Sequence, residues 1–439
     1  MNIQRDILKD LSRWKDSPYR KPLILQGARQ VGKSFILKQF GSQCFENCCY
    51  VNFDFEKEHK TEFALTKDPA RIISYLAAVK GMNIQAQKTL IIFDEIQECN
   101  DALNSLKYFR ELMPEQAVVC AGSLLGVALK REGASFPVGN VDFMTLYPVS
   151  FKEFIAFYAE NISQFLENYV GGKKWEKIPE ILHTQLIEAY KVYLCCGGMP
   201  ESLVRYLDNR DWTETDLINN QILTAYSLDF AKHIDSKDIP RLQQLWQNIQ
   251  DNLAKEDRKF RYSLIEKNAR GREYENSVEW LVLSGLVNRV FEVSTLRLPL
   301  SSCKNSHAFK LYLSDSGLLR TKFQLAPATI LLGNRLFTEF KGVLTENYVL
   351  QSLTRQFGSN IFYWTSGNQA EIEFVFQRSE MIIPIEAKSA LSTKAKSLSE
   401  YRKKYLPELS IRFSLKNVEK NDDLLNLPLY LADYTKKIT

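Results

Sequence analysis

The sequence lacks any apolar stretch of about 18 residues, the length that a helix needs to cross a bilayer. Its N-terminus, MNIQRDILKDLSRWKD, also lacks the apolar segment of a signal peptide. These absences predict a cytoplasmic protein with no membrane partner.

The patterns typical of zinc sites and of disulfide frameworks are missing too. The histidines lie far apart in the sequence, at His59, His183, His233 and His307. The cysteines include two adjacent pairs, Cys48-Cys49 and Cys195-Cys196, a spacing that fits neither a Cys-x-x-Cys clamp nor a small disulfide scaffold. We therefore expect reduced, mostly buried thiols and no zinc.

The charge is nearly balanced, because 57 Lys and Arg face 52 Asp and Glu over 439 residues. The resulting net charge of +5 does not by itself indicate a nucleic-acid partner, so any basic binding surface must be local. The composition is that of a globular protein, with 45% hydrophobic and 25% charged residues. The chain is too long for one hydrophobic core, which predicts several domains.

Short apolar runs in the first third of the chain have the composition of β-strands: LILQ, CCYVNFDF, TLIIFDEI and AVVCAGS. Helical patterns separate these runs, which indicates an α/β fold with a mostly parallel sheet and helices on both faces. We assign residues 1–155 to this domain.

The hydrophobic periodicity changes along the rest of the chain. A helical period dominates residues 156–252 and predicts a helical lid domain. Residues 253–322 have the order of a short strand, two helices and a strand, which predicts a winged helix-turn-helix. Residues 323–439 alternate between helix and strand again and predict a second α/β domain.

Residues 27–34, GARQVGKS, fit the pattern G-x-x-x-x-G-K-[ST] between a predicted strand and a predicted helix. In this pattern the glycines let backbone N–H groups point at phosphate oxygens, the lysine contacts the β and γ phosphates, and the hydroxyl holds Mg²⁺. We therefore predict an ATP site, with Ser34 on the metal, formed by Gly27, Ala28, Arg29, Gln30, Val31, Gly32, Lys33, Ser34 and Phe35.

The apolar run LIIFDE ends in two carboxylates, Asp94 and Glu95. We expect Asp94 to complete the Mg²⁺ shell and Glu95 to orient and polarise the attacking water, so that Lys33 and Glu95 are the catalytic residues. Ser123 ends another strand of the same sheet and is placed to contact the γ-phosphate, although a serine that merely ends a strand is an equally good interpretation.

These motifs, with AGSLLG, FPVG, TLYPVSFKEF and CGGMPE, together resemble the prokaryotic AAA-type (P-loop) ATPases that carry a C-terminal DUF4143 domain. The resemblance covers most of the chain and implies a nucleotide-switched machine rather than a metabolic kinase. In that family a basic residue usually follows FPVG, whereas Asn140 stands there in this sequence. If the site lies between subunits of a homo-oligomer, a trans-acting arginine could be Arg110 or Arg131, although an ordinary surface role is the commoner one.

The last domain has acidic residues in three successive elements. Glu346 lies in a predicted helix, Glu371 and Glu373 in one strand, and Glu386 and Lys388 in the next, where alternation puts each pair on one face. This resembles the PD-(D/E)xK arrangement of restriction-endonuclease-like domains, in which carboxylates bind Mg²⁺ and the lysine stabilises the nucleophile or the transition state. The resemblance implies Glu373, Glu386 and Lys388 as catalytic residues and Glu346, Glu373 and Glu386 as metal ligands. The usual aspartate of the first strand is Glu373 here, whose longer side chain would displace the metal.

Two basic clusters are candidates for DNA binding. One lies in the predicted winged helix, at Lys259, Arg261, Lys267, Arg270 and Arg272. The other follows the nuclease-like residues, at Lys388, Lys394, Lys396, Arg402, Lys403 and Lys404. The winged helix could equally pack against the ATPase domain as a lid, and the second cluster could be a solvated helix face. Tyr363 and Trp364 could stack on bases, but core positions are commoner for strand aromatics.

The leading hypothesis is a protein that binds and hydrolyses ATP and whose nucleotide state controls a nuclease-like domain acting on DNA. The alternative is a nucleotide-dependent switch with protein partners and a catalytically inactive nuclease-like domain. A DNA-binding ATPase without cleavage is the third hypothesis.

Overall fold

The computed structural model describes residues 3–122, 139–234, 238–267, 269–332, 337–367, 370–389 and 396–439. The chain divides into two compact units. The N-terminal unit contains Arg5–Tyr147 and Leu283–Gly285, and the C-terminal unit contains Pro148–Val282 and Leu286–Thr439. The finer division into four domains stays a prediction.

The N-terminal unit is built on a parallel five-stranded sheet with the order β2-β3-β4-β1-β5. Its strands are β1 (Leu23–Gln26), β2 (Asn47–Asn52), β3 (Thr89–Asp94), β4 (Val118–Gly122) and β5 (Asp142–Thr145). The predicted parallel α/β sheet is confirmed, because all four apolar runs form neighbouring strands. The fifth strand, DFMT, was not predicted, since it has no fully buried position and no apolar run.

Helix α1 (Ile7–Asp16) precedes β1. Further helices connect the strands: α2 (Lys33–Cys44), α3 (His59–Leu65), α4 (Pro69–Lys80) and α5 (Asn100–Leu112). Local sequence signals fix their ends. In α4, for example, the Asp68 side chain accepts the N–H of Ala70 at 3.0 Å, Pro69 occupies the first turn, and Gly81 ends the helix in the left-handed region. The core beneath α3 and α5 is aromatic, with Phe63 and Phe93 in edge-to-face contact.

The C-terminal unit begins with a series of helices, as the periodicity predicted: α6 (Phe151–Tyr158), α7 (Glu160–Gly172), α8 (Glu180–Cys196), α9 (Pro200–Asn209), α10 (Trp212–His233) and α11 (Ile239–Leu253). Further helices follow: α12 (Gly271–Leu283), α13 (Ser316–Lys322), α14 (Pro327–Leu331), α15 (Phe337–Phe357), α16 (Lys396–Tyr405) and α17 (Thr435–Ile438). Across the described ranges, none of the helices is both long and apolar enough to cross a membrane.

The strands of the C-terminal unit form one eight-stranded mixed sheet with the order β12-β13-β11-β10-β9-β8-β6-β7. They are β6 (Val287–Val293), β7 (Lys304–Leu313), β8 (Ile361–Thr365), β9 (Glu371–Arg378), β10 (Met381–Ala387), β11 (Ser410–Ser414), β12 (Glu419–Asn421) and β13 (Leu424–Pro428).

The predicted winged helix-turn-helix at residues 253–322 is not confirmed. Within its described residues, a 3₁₀ turn at Tyr262–Leu264 and the helix α12 precede β6 and β7. Both strands belong to the large sheet, because β6 pairs with β8 in parallel register through Phe291 and Phe362. The apolar pattern identified these residues as strands correctly. It could not identify the partner of β6, because β8 lies about seventy residues further along the chain.

The glycines of the CGGMPE motif allow two loops of the C-terminal unit to interlock. Asp315 is fully buried at the start of α13, where its carboxylate accepts the N–H of Gly198 at 2.6 Å and the N–H of Leu318 at 2.9 Å. A Cβ on Gly317 would lie 2.4 Å from the carbonyl oxygen of Cys196. The end of α8 and the start of α13 therefore approach each other more closely than any side chain would permit.

Replacing Gly317 with alanine should destabilise the C-terminal unit by about 1–3 kcal/mol or more, because the new methyl group meets backbone atoms that cannot move aside. Chemical denaturation of the full chain measures this loss. Gly171→Ala is the matched control: Gly171 lies in α7 with no other atom within 4 Å of an added Cβ. The control should gain up to about 1 kcal/mol from helix propensity, and equal midpoints for both variants would contradict the interlock.

Candidate functional site

The loop between β1 and α2 has the conformation of an anion-binding turn. Gln30 and Gly32 have positive φ angles of 64° and 92°, and Gly32 caps the N-terminus of α2. Left-handed residues of this kind turn successive N–H groups toward one point, and the helix N-terminus adds its partial positive charge. Gly27 is required for packing, because a Cβ there would lie 2.2 Å from the carbonyl oxygen of Leu146.

Lys33 lies inside this loop and is almost fully buried, with 8% of its surface exposed. Its Nζ donates hydrogen bonds to the carbonyl oxygens of Gly27 at 2.9 Å and Ala28 at 2.8 Å. Burial lowers the pKa of Lys33 to about 8, although the charges of Glu95 and Asp94 act in the opposite direction. The loop therefore curls around an ammonium group that sits within the field of both carboxylates.

Asp94 and Glu95 stand at the end of the fully buried strand β3. The Asp94 carboxylate is 3% exposed and accepts two hydrogen bonds, one from the backbone N–H of Glu95 at 3.0 Å and one from the Tyr50 hydroxyl at 2.6 Å. Glu95 has a left-handed backbone, and Gln97 donates to its carboxylate. The charges of Asp94 and Glu95 act on Lys33, so the structure brings these three groups together, while their roles stay predictions.

The other predicted residues of this site differ in how deeply they are buried. Ser34 lies half-buried in the first turn of α2, whereas Phe35 is 55% exposed and points away from the core. Arg29 is near enough for its charge to act on Lys33. Arg110 is half-buried in the last turn of α5. Ser123, Arg131 and Phe136 lie outside the described residues.

Two contributors to this site were not predicted. Arg5 donates to the carbonyl oxygen of Val31 at 3.3 Å and to that of Tyr147 at 2.6 Å, so it joins the phosphate loop to the chain beyond β5. Tyr50 contacts Asp94 from the neighbouring strand β2. No local motif marks either residue, and only the strand order of the sheet could have indicated Tyr50.

The C-terminal unit places its predicted acidic residues near one another, but each of them faces a cation. The Nζ of Lys388 lies 2.9 Å from the Glu373 carboxylate and 3.4 Å from the Glu386 carboxylate. Arg412 contacts Glu386 at 2.7 Å, and Arg258 contacts Glu346 at 2.7 Å. The fully buried Lys310 forms an ion pair with Glu371.

We call these residues the C-terminal charge cluster: Glu346, Glu371, Glu373, Glu386, Arg258, Lys310, Lys388 and Arg412. Its members carry four negative and four positive formal charges. Burial raises the pKa of Glu386, and the nearby Glu373 raises it further, against the effect of Lys388. The pKa of Glu346 is also raised by burial, with Arg258 opposing. The two carboxylates raise the pKa of Lys388 despite its own burial, so it stays charged.

The geometry gives no support to the predicted metal site at Glu346, Glu373 and Glu386, which stays a prediction. Among the residues that the structure describes, no three His, Cys, Asp or Glu side chains are grouped so that they could hold one metal ion. The physical reason lies in the cations that the sequence analysis did not assign to this cluster, Arg258, Lys310 and Arg412. They neutralise the negative charge that would otherwise attract Mg²⁺. One oxygen each of Glu373 and Glu386 is buried without a hydrogen bond.

The aromatic residues predicted as possible base-stacking groups belong to the core. Tyr363 and Trp364 are 0% and 1% exposed, and Trp364 packs edge-on against Tyr401. Some basic residues are also engaged: Arg402 pairs with Asp423, and Lys259 lies 3.6 Å from Glu292. Arg261 pairs with Asp257 but remains exposed.

In the described part of these two clusters, the exposed basic residues are Arg261, Lys267, Arg270, Arg272, Lys396, Lys403 and Lys404. Lys394 lies outside the part of the chain that the structure describes. The two predicted basic clusters therefore keep only part of their charge available to a partner.

The comparisons with known proteins agree with the fold of the N-terminal unit. Residues 19–155 match the family model of an AAA domain, and residues 341–430 match a domain of unknown function, DUF4143. Residues 187–329 match another domain of unknown function, DUF8612. A search of curated proteins finds no match.

Several solved structures are similar over most of this chain. A Walker-type ATPase of Pyrococcus abyssi has a TM-score of 0.42 at 14% identity, with 73% of this chain and 96% of that chain covered. The ORC2 protein of Aeropyrum pernix, solved as ADPNP-ADP complexes, has a TM-score of 0.35 at 12% identity, with 75% and 95% covered. The ORC1 protein of the same organism, solved in complex with DNA, has a TM-score of 0.23 at 10% identity, with 76% and 94% covered.

The parallel sheet, the phosphate loop and the acidic strand end give the N-terminal unit the fold of the P-loop class. More particularly, residues 19–155 match an AAA domain and residues 341–430 match DUF4143, which is the combination that the sequence motifs indicated.

Nucleotide binding should take up protons in mildly alkaline solution. Because the pKa of Lys33 is lowered to about 8, a large share of the amine is neutral at pH 8.5, and phosphate oxygens favour its protonated form. We expect an uptake of roughly three-quarters of a proton at pH 8.5 and roughly a tenth at pH 7. Calorimetry in two buffers of different ionisation enthalpy measures it, and equal uptake at both pH values would contradict the assignment.

Proposed function

We propose that the N-terminal unit binds ATP with Mg²⁺ and hydrolyses it. The observation that carries this proposal is the convergence of Lys33, Asp94 and Glu95 beside the left-handed turn at Gly32. The match of residues 19–155 to an AAA domain supports it. A chance Gly-Lys turn would not lie beside two carboxylates at the end of another parallel strand of the same sheet.

Phosphate binding follows from the loop and from Lys33. The N–H groups of the loop and of the first turn of α2 supply hydrogen-bond donors, and the Lys33 ammonium exchanges its bonds to two carbonyl oxygens for stronger charge-assisted bonds to phosphate oxygens. This exchange favours an anionic ligand, because a neutral ligand would leave the buried ammonium bonded to the two carbonyl oxygens.

The donor set fits Mg²⁺, which prefers oxygen ligands from one or two side chains together with phosphates and water. The Ser34 hydroxyl and the buried Asp94 carboxylate are the residues that would hold it. The ion would neutralise charge on the β and γ phosphates. Glu95 lies one residue further on, where it orients and polarises the attacking water, and Gln97 holds the Glu95 side chain in place.

We further propose that the nucleotide state of this site controls the C-terminal domain. Among the hypotheses for that domain, the charge cluster favours the nucleotide-dependent switch with a catalytically inactive nuclease-like domain. Each carboxylate already has a cationic partner, and a metal would have to compete with Lys388 and Arg412 for Glu386. Metal-dependent cleavage remains the second candidate function. It is supported by one carboxylate oxygen of Glu373 and one of Glu386 that are buried and accept no hydrogen bond.

The ATPase proposal makes a clear prediction for two variants. Lys33→Ala should abolish ATP binding, because it removes the charge at the centre of the loop, whereas Glu95→Gln should bind ATP and fail to hydrolyse it. Removal of such a catalytic group typically costs 10²-fold or more in rate, so we expect a loss of about that size. Equilibrium binding and phosphate release, each with and without DNA, measure these effects. Unchanged nucleotide affinity in Lys33→Ala would contradict the assignment of an ATP site to this loop.

For the C-terminal domain we expect no DNA cleavage by the wild-type chain in Mg²⁺ or Mn²⁺. Glu386→Gln should lower stability, because Arg412 and Lys388 lose a buried partner, by about 3–5 kcal/mol. The exposed Glu380, in the turn between β9 and β10, supplies the control Glu380→Gln, which should be silent. Cleavage that is present in the wild type and in Glu380→Gln but lost in folded Glu386→Gln would instead establish the nuclease.

DNA binding without cleavage is tested separately, through its dependence on salt. It predicts affinity that falls steeply as salt rises and that weakens when the exposed Arg270 and Arg272 are replaced by glutamine. Hydrolysis that ignores DNA while depending on Glu95 favours a protein partner.

A further inference from the structure

We propose that Tyr50 is a positioning residue of the ATP site, which fixes the orientation of the Asp94 carboxylate for Mg²⁺. The inference rests on the proposed function of the N-terminal unit and adds to it a residue that the phosphate-loop and acidic-strand motifs do not contain. All of the contacts that support this inference lie within the N-terminal unit.

The first observation is that both oxygens of Asp94 are held, each by a different donor. The backbone N–H of Glu95 donates to Oδ1 at 3.0 Å, and the hydroxyl of Tyr50 donates to Oδ2 at 2.6 Å. The terminal torsion of an aspartate is broad, so a carboxylate with one bond can rotate. Two bonds to two oxygens remove this freedom, and the lone pairs that remain point in one fixed direction.

The second observation concerns how Tyr50 reaches Asp94. In the parallel pairing of β2 with β3, Asn52 stands opposite Asp94, and Tyr50 lies two residues earlier, opposite Ile92. Residues two apart share a face of a strand, so Tyr50 lies on the same face as Asn52, and its long side chain reaches along the sheet to the strand end. The amide of Asn52 lies 3.4 Å from the Tyr50 hydroxyl, to which it donates. A shorter side chain at position 50 would not span this distance.

The third observation joins Tyr50 to the other half of the site. Lys38 of α2 places its Nζ 3.8 Å from the centre of the Tyr50 ring, within the range of a cation–π contact. The same helix carries Lys33 and Ser34 in its first turn. Tyr50 therefore contacts both the helix that would bind the phosphates and the carboxylate that would bind the metal.

The test is Tyr50→Phe, which keeps the ring and removes only the hydroxyl. Loss of a group that orients a metal ligand typically costs 10–100-fold in metal affinity, so we expect the Mg²⁺ concentration for half-maximal strengthening of ATP binding to rise about tenfold. Nucleotide affinity in EDTA should stay within about twofold of the wild type, since no phosphate contact is lost. A fluorescent ATP analogue titrated with Mg²⁺ reads both quantities without requiring hydrolysis.

Tyr75→Phe is the matched control, because it removes another hydroxyl of the same unit, one that contacts His59 at 2.9 Å. Its Mg²⁺ dependence should equal that of the wild type. Equal Mg²⁺ dependence of all three proteins would overturn the role of Tyr50 and leave the ATP site intact. Weakened binding of Tyr50→Phe in EDTA would also overturn it, since that result indicates a general structural role. If the wild type itself shows no Mg²⁺-dependent ATP binding, the proposed function fails, and the inference fails with it.

Discussion

A charge that is taken out of water needs a partner, and this constraint organises both units of the protein. In the N-terminal unit the buried Lys33 ammonium is held by two loop carbonyl oxygens and feels Asp94 and Glu95 across the strand end. The left-handed loop and Gly27 let the backbone close around the Lys33 ammonium. Phosphate oxygens are better partners for an ammonium than carbonyl oxygens are, so this geometry indicates a nucleotide site.

The same constraint has the opposite consequence in the C-terminal unit. Glu386 lies on β10 directly opposite Arg412 of the parallel strand β11, so the register of the sheet itself delivers the cation. Lys388 then bridges Glu386 and Glu373, so both carboxylates have a cationic partner within the chain, while one oxygen of each accepts no hydrogen bond. The acidic residues and the lysine that the sequence singled out thus lie near one another, but their charges are balanced by cations of the same unit.

The sequence predicted what is local and missed what is distant. The phosphate loop, the acidic strand end and four of the strands around them were found because each signal lies within a few consecutive residues. Arg258, Lys310 and Arg412 were missed as partners of the acidic residues because they come from elements that only the folded sheet brings together. The winged-helix prediction for β6 and β7 was not confirmed for the same reason. β6 pairs with β8, and α13, α14 and α15 lie between these two strands in the sequence. Tyr50 shows the limit most clearly: it was part of a predicted strand, and its role depends on which strand became the neighbour of β3.

The interlock of the CGGMPE loop with Asp315 also constrains the order in which the polypeptide assembles. Gly198 and Asp315 are separated by 117 residues, so the end of α8 cannot complete its packing until the ribosome has delivered the start of α13. Closing so long a loop costs entropy before any contact compensates it, and domains dominated by such pairings fold slowly. We therefore expect the end of α8 to stay partly uncovered until the start of α13 has been synthesised. Uncovered apolar surface promotes aggregation, so a chaperone that binds the nascent chain would be most useful in that interval.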